Sequence, residues 1–517
     1  MESLRKRLAS YYGIEEEECA RLTREPSFSD IPTLADSLAA KSMRQRIEKA
    51  VANNEKVIIY GDYDTDGIMA TSILYYCFIK LGKNVKFYIP TRYVDGYALN
   101  MENAKKIVGA GYSLVILVDN GVSCVEEVSF LLSKGIETLI IDHHSLPSVL
   151  PPAVATIHPA LCHYGSVPVS AGYLSYLFSI ELLGENDPYL MLLGALSTIS
   201  DMMPVKDHNR TIIALALRYI RKAKPKEIYL LANSIFIDEN VLSMVVIPAI
   251  NAAGRLLEDT KIGRVVHYFA DGGADKEKIA TWLLQINEAR KNATNEAAEL
   301  IKPDTSLSAI VVVGRLKEGL NGLLANRLLS QYGKPVAVFS PSSAEPDCYV
   351  GSMRMLDGMN LMDFLARNSD IIVKGGGHPL AGGATIRKEN YPAFKKAFET
   401  YVYEHPYIPE EARDPIPLLS EEVNMDSYRI IRSFGPFGKD HPEPEFLIRD
   451  IPYSKLLFIH HEEMSRFTFD SGAKFISFSY GKNALDAQKV YVPFRGRMHL
   501  REYRGKIELS FQGDKDE

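Results

Sequence analysis

"IIYGDYDTDGIMA", residues 58–70, sets three aspartates within five positions, Asp62, Asp64 and Asp66, and follows them with Gly67. The spacing D-x-D-x-D-G also opens a calcium-binding EF-hand loop. That loop closes on a bidentate Glu at its twelfth position and is preceded by a helix. Counted from Asp62, the twelfth residue is Ile73, which cannot ligate. The preceding Val57, Ile58, Ile59 and Tyr60 form a short β-branched and aromatic run that reads as a buried strand. A helical pattern follows through Ile68, Ser72, Leu74, Tyr75 and Phe78. The aspartates therefore occupy a strand-to-helix turn. One Asp there is adequately explained as a helix cap. Three together repel one another unless a cation sits among them.

Outward from this turn, "VIIY", "VKFYI", "LVILV" and "ETLII" alternate with helical patterns near 68–81, 100–110 and 123–134. That rhythm predicts a parallel sheet with helices on both faces. Residues 1–55 and most of 169–222 read as helical, and 278–301 is a long helical pattern without Gly or Pro, suited to a rigid connector. "AIVVVG", a helix through 320–332 and "PVAVFS" restart the βα alternation. Pro and acidic residues gather in 404–417, a linker composition. Beyond it the period changes to two. "KIELSF" alternates at Ile507, Leu509 and Phe511, and "RFTFD" and "KFISFSY" are strand-like, which predicts a small all-β barrel. The expected fold class is α/β: a parallel-sheet domain (56–275) after an N-terminal helical segment (1–55), a connecting helix (276–302), a smaller α/β domain (303–403), a linker (404–417) and a C-terminal β-barrel domain (418–517).

A chain of 517 residues is too long for one core. Its net charge of −6 excludes a protein-wide basic field, so nucleic-acid binding must come from local patches. The five cysteines include no C-x-x-C pair and suit a reducing cytoplasm. The N-terminal stretch has no apolar leader core, and the longest stretch with few charges, 164–180, is broken by Gly, Pro and Ser, so no membrane partner is expected.

The acids recur at strand ends. "VIIY" leads to Asp62–Asp66, "LVILV" to Asp119-Asn120-Gly121 and "ETLII" to Asp142-His143-His144. In an open parallel sheet these ends share one edge, where ligands bind. Asp201, in "GALSTISDMMPV", is a further candidate that alone would read as a surface acid. Carboxylates with one or two imidazoles and no thiolate suit manganese or magnesium better than zinc. So many carboxylates can hold two ions, the arrangement that hydrolyses phosphodiesters or phosphoanhydrides in line. No P-loop and no Rossmann glycine motif is present.

"GDYDTDG", "VDNGVS", "IDHH" and "STISDMMPV" resemble the four successive motifs of the DHH phosphoesterase superfamily. "INAAGRL" (250–256), "GSMR" (351–354) and "GGGHPLAGG" (375–383) resemble the later motifs of its RecJ branch, single-strand-specific 5′→3′ exonucleases built from DHH, DHHA1 and OB-like domains. "SFGPFGKDHPEPEF" (433–446) and "FRGRMHLREYRGKIELSF" resemble that branch's OB-like domain. The resemblance covers almost the whole chain, in the family's order. It implies two Mn²⁺ or Mg²⁺ ions held by Asp64, Asp66, Asp119, His143 and Asp201, with Asp119 bridging. Asp62 and His144 would support catalysis from beside the metals or at the phosphate. Arg92, Asn251, Arg255, Ser352, Arg354, Gly376 and His378 would hold substrate phosphates, as guanidinium forks and open glycine backbone can. The glycines by themselves could equally mark a turn. Phe494, Arg495, Arg497, Arg501, Tyr503 and Arg504 would line a strand-binding groove of cations and aromatics; by composition alone they could equally be a charged barrel exterior.

The implied activity is metal-dependent 5′→3′ hydrolysis of single-stranded DNA to 5′-mononucleotides, in repair or recombination, with a single-strand-binding protein or a helicase as protein partner. Two alternatives stand beside it. An oligonucleotidase or small-nucleotide phosphodiesterase usually lacks the OB-like end. A non-catalytic replication scaffold would not need intact acids. The chain departs from the family at Leu316-Lys317 (a Trp-His pair in many relatives), Asn321 (an aliphatic residue), Ala98 (Gly) and His158 (Asn).

Overall fold

In the computed structural model, which describes residues 3–513 except 84, 165–166, 274, 408–412, 478–480, 486–487 and 504–505, the four apolar runs become β1 (Val57–Tyr60), β2 (Lys86–Tyr88), β3 (Leu114–Val118) and β4 (Glu137–Ile141). A fifth, β5 (Ala155–Ile157), is too short and too close to Pro151-Pro152 to show in the pattern. All pair in parallel in the order β2-β1-β3-β4-β5. The two faces read directly from the alternation. Ile58, Tyr60, Val115, Leu117 and Ile140 pack with helices Met101–Gly109 and Val125–Ser133, while Ile59, Ile116 and Leu139 are fully buried on the other face.

Two compact units form, and neither follows chain order. One comprises Ala39–Ile157 and Val246–Ala412, so it holds this sheet, the 25-residue helix Lys276–Leu300 and a second sheet. The other comprises Met1–Leu38, His158–Val245 and Arg413–Glu517.

The second sheet has the order β6-β7-β8-β10-β9, with β6 (Ile310–Val313), β7 (Val336–Pro341), β8 (Cys348–Arg354), β9 (Lys374–His378) and β10 (Ala381–Arg387). Only β6 and β7 are parallel; the rest is antiparallel. One face carries Ala337, Phe339, Met353, Ala384 and Ile386 against Phe364, Phe394 and Phe398. The other carries Val336 and Val338 beneath helix Asn321–Tyr332. The glycine run 375–377 is an extended edge strand, not a turn.

In the other unit, three helices (Ala171–Leu183, Pro188–Ser200, Asp207–Ala223) fulfil the helical reading of 169–222. The C-terminal region forms one seven-stranded sheet. Its core is aromatic, with Phe446, Phe475, Phe494 and Phe511, and it also takes in Leu4, Leu8 and Cys19 from the N-terminal helices. The end of the segment read as linker joins this sheet as Ile416–Leu418. Of the alternating trio in "KIELSF", Leu509 and Phe511 are buried and Ile507 is exposed. Among the described residues no helix is long and apolar enough to cross a membrane.

Gly67 explains how the aspartate turn packs. A Cβ there would lie 2.6 Å from the backbone nitrogen of Asp62 and 2.7 Å from its Cα. Ala is the better helix former by about 1 kcal/mol, but the clash is with backbone and cannot be relieved by a rotamer. Gly67→Ala is therefore expected to lower the unfolding free energy in urea by about 1–3 kcal/mol, the reverse of the propensity order.

Candidate metal centre and phosphate pocket

β1, β3 and β4 are direct neighbours, so their carboxyl ends deliver the three acidic motifs side by side. Asp62 and Asp66 are 3% and 2% exposed. Asp64 is the N-cap of helix Thr65–Lys80, accepting from Gly67 N–H at 3.2 Å. It is thus a cap as well as a candidate ligand, since a carboxylate has a second oxygen. Asp119 has φ 61°, a left-handed conformation that Asp tolerates, and its N–H donates to Ile141 O at 2.9 Å. Asn120 ties β3 to β1 by donating from Nδ2 to Val118 O at 2.9 Å and Gly61 O at 3.1 Å.

These residues meet. Asp62, Asp64 and Asp119 offer carboxylate oxygens within 4.8 Å of one another, and Asp119, His143 and His144 form a second set on the same criterion. Asp119 belongs to both, as a bridging ligand must. His143 Nε2 lies 3.3 Å from Asp119 Oδ1 and 3.5 Å from Asp66 Oδ2. Asp201 is the C-cap of helix Pro188–Ser200 in the other unit, and the resemblance assigns it as a ligand.

Electrostatics favours a cation here. Burial, then Asp64, pushes the Asp62 carboxyl well above its ordinary range; burial, then Asp66, pushes Asp64 up. Asp62 Oδ1 is buried without a hydrogen-bond partner. Burial, opposed by Asp66, lowers the His143 pKa and so favours the neutral imidazole, the form that ligates a metal. An all-carboxylate and imidazole set fits Mn²⁺ or Mg²⁺.

Asp142 is an acid that the sequence pattern places at a strand end without giving it a role. Its carboxylate, 1% exposed, accepts from Val122 N–H (3.0 Å), His143 N–H (2.7 Å), His144 N–H (3.1 Å) and His144 Nδ1 (2.8 Å). Burial would raise its pKa, but these bonds, led by His144, lower it. With Nδ1 bound to Asp142, His144 turns Nε2 to the Tyr97 hydroxyl, 3.0 Å away. Ala98 beside it has φ 65°, so the departure from Gly falls where the backbone favours glycine.

The phosphate-binding candidates converge from both sheets of this unit. Arg92 lies over the Tyr63 ring at 4.5 Å. Arg255 Nη1 donates to Gly319 O at 3.3 Å, while Tyr93 donates to Arg255 O. Burial, then Arg92, lowers the Arg255 pKa to about 10; Asp64 opposes this, and Arg290 and Arg354 add to it. Four guanidiniums thus crowd one region. Arg290 lies on the helix read only as a connector, and nothing in a long helical pattern distinguishes it. Asn251 Oδ1 accepts from Thr65 N–H and Oγ1, each at 2.9 Å, and so braces the aspartate turn. Two other departures have structural roles. Lys317 Nζ donates to Leu256 O at 3.2 Å, and fully buried Asn321 bonds Val350 O and Ser340.

Register assembles the rest. Ser352, Gly383 and Gly376 are in line across β8, β10 and β9, and Arg354, Ala381 and His378 form the next line. Residues in line share a face, and alternate residues along a strand share it too. Ser352, Arg354, Gly376 and His378 therefore stand on one face, with His378 about 10 Å from Arg354. Gly376, Gly383 and Ala381 form a floor with almost no side chains. Helix Asn321–Tyr332 covers only the β6–β8 side of this face, and its Gly322 approaches Arg354 Nη2.

The C-terminal candidates divide by parity. Phe494 is fully buried against Phe475 at 4.3 Å between centroids, so as a base-stacking residue it is corrected to a core residue. Arg495, Arg497 and Arg501 lie on the opposite face. Arg495 is paired with Glu445, with Arg497 3.7 Å from the same carboxylate. Arg497 and His499 line a cleft of about 460 Å³ with Asp238 and Glu443. Arg501 lines an adjoining one with Ser234 and Asn240. Arg504 and the Tyr503 side chain lie outside the described residues.

Comparison with known proteins gives three domain matches: DHH family, N-terminal domain (residues 56–193), DHHA1 domain (308–404) and RecJ OB domain (416–514). The single-stranded-DNA-specific exonuclease RecJ of Haemophilus influenzae is 31% identical over 440 residues, 77% of this chain and 75% of that protein. The RecJ of Bacillus subtilis is 29% identical over 456 residues; the match takes in 85% of this chain but only 57% of the relative. The crystal structure of RecJ from Thermus thermophilus in complex with Mn²⁺ shares the fold, with a TM-score of 0.82 at 23% identity, covering 99% of this chain and 76% of that one.

Asp142 acts on the site by orienting His144. Asp142→Asn is expected to weaken Mn²⁺ binding, measured by calorimetry, about 10–100-fold, with an unchanged circular dichroism spectrum.

Proposed function

This chain belongs to the RecJ family of DHH proteins, and on that premise we propose that it is a metal-dependent exonuclease that degrades single-stranded DNA 5′→3′ and releases 5′-mononucleotides. The observation that carries the reading is the sharing of Asp119 by two donor sets, in the unit where Arg92, Arg290 and Arg354 stand close enough to Arg255 to lower its pKa. Asp62, Asp64, Asp66, Asp119 and His143 are the residues of this unit that would hold manganese or magnesium. Divalent cations there would polarise the phosphoryl group and activate water.

The chain's own groups account for polarity. A 5′-monophosphate carries more charge than an internal diester, and Arg92, Arg255, Arg290 and Arg354 offer it guanidinium forks. Anchoring that terminal phosphate about one nucleotide from the metal ligands aligns the first diester for attack. The bare floor at Gly376 and Gly383 leaves room for the strand behind it. Arg497 and Arg501 are the C-terminal candidates for contacts further along. Repair or recombination as the setting, a cytoplasmic location and a single-strand-binding protein or helicase as partner belong to the same reading. The five free cysteines fit that compartment.

The test uses 3′-labelled single strands with and without a 5′-phosphate, in Mn²⁺. Wild type should shorten the strand from the 5′ end and prefer the phosphorylated form. Asp119→Asn, which keeps a side chain tolerant of the left-handed backbone, should abolish turnover. Arg354→Ala should reduce the phosphate preference about tenfold while retaining the strand. Loss of label from the 3′ end would reject the reading.

Gly376 offers a cleaner steric test, because nothing lies within 4 Å of where its Cβ would stand. Gly376→Val should leave the melting temperature unchanged and weaken binding of a short oligonucleotide by about tenfold or more, roughly the loss of one good contact. Unchanged affinity would show that the strand does not cross this floor.

A further inference from the structure

A cavity in the unit that contains the N-terminal helices is given no role above. It measures about 710 Å³, ample for a nucleotide-sized ligand. Its wall carries five permanent cations, Arg21, Arg24, Lys206, Arg210 and Arg413. Three wall carboxylates are already engaged. Asp30 pairs with Arg24 at 2.6 Å, and Glu18 and Asp207 lie 3.5 and 3.7 Å from Arg21. Among the described wall residues that leaves Asp440 as the remaining carboxylate beside Lys206, Arg210 and Arg413.

Two side chains at the wall carry buried nitrogens. Arg210 spends Nη2 on the carbonyl of Gly435 at the end of helix Met425–Phe434, yet its Nε is buried without a partner. His208 is 6% exposed, and its Nε2 also has no partner. The local field is positive as well: after burial, Arg210, Arg413 and Lys206 each disfavour protonation of His441. Arg413 sits 5.3 Å from the Tyr11 ring and 5.9 Å from the Tyr12 ring, held by no carboxylate among the described residues.

We propose that this cavity binds a phosphate-bearing ligand, with Lys206, Arg210 and Arg413 as the phosphate contacts. The phosphate could belong to a free nucleotide or to a strand led past the cavity, and the two sources are separable. The 517-residue chain is held metal-free in EDTA and carries Arg354→Ala to weaken the phosphate site proposed above. Pyrophosphate, a 5′-mononucleotide and a 5′-hydroxyl oligothymidylate are each titrated calorimetrically, before and after adding Lys206→Gln and Arg413→Gln. Both residues are exposed, so the fold should hold. A tenfold or greater loss of pyrophosphate and mononucleotide affinity identifies a free ligand; a loss confined to the oligonucleotide identifies a strand. Equal affinity in every arm overturns the proposal. Should the double substitution fail to fold, protection of Lys206 from acylation by pyrophosphate in the Arg354→Ala chain, read by mass spectrometry, answers the same question, and no protection counts against it. Binding is read without turnover, so failure of the exonuclease reading would leave this result standing.

Discussion

Everything at the candidate metal centre depends on the crowding of buried carboxylates at the carboxyl edge of a parallel sheet. Two such charges about 4 Å apart repel by roughly 4 kcal/mol at the effective dielectric typical of protein sites. A capping hydrogen bond such as Gly67 to Asp64 offsets only part of that. The neighbouring backbone is built to hold the groups together regardless. Gly67 lets the helix close onto Asp62, Asn120 stitches two strand ends, and Asp142 locks the tandem histidines. A divalent cation is the counter-charge that makes this arrangement favourable, and the same crowding makes it a good ligand set.

The second sheet solves a different problem. On the proposed function it must approach a phosphate chain closely and still present cations to it. Antiparallel register does this by placing two lines of residues on one face, each running from a functional side chain over small residues to the edge strand. Helix Asn321–Tyr332 buries the apolar half of that face and leaves the small-residue half open. The arginines then come from four separate segments, so the pocket exists only when the parts of this unit are assembled.

Much of this was legible in the chain. The strand-ending acids, the βα alternation and the long helix show because local pattern and backbone geometry agree there. Other features were not. Asp142 looks like one more acid at a strand end, and its role follows from which donors surround it. Arg290 sits in an unremarkable helical pattern. Phe494 looks like a stacking residue beside arginines, but the period of two sends it inward and the arginines outward. The glycine run is compatible with a turn until its partner strand is known.

What the sequence determined by itself is the chemistry: the ligand types, their placement at strand ends, the glycines and arginines of the later motifs, and the family. These are set by side-chain identity and short-range periodicity. Tertiary structure alone decided which of them meet. The first helices, some 400 residues from the C-terminal sheet, bury Leu4, Leu8 and Cys19 in its aromatic core, and a contiguous α/β reading of 56–275 is divided between two compact units. Pairings of that range are selected by apolar burial, which is non-directional and blind to sequence separation, so no local pattern in the chain records them.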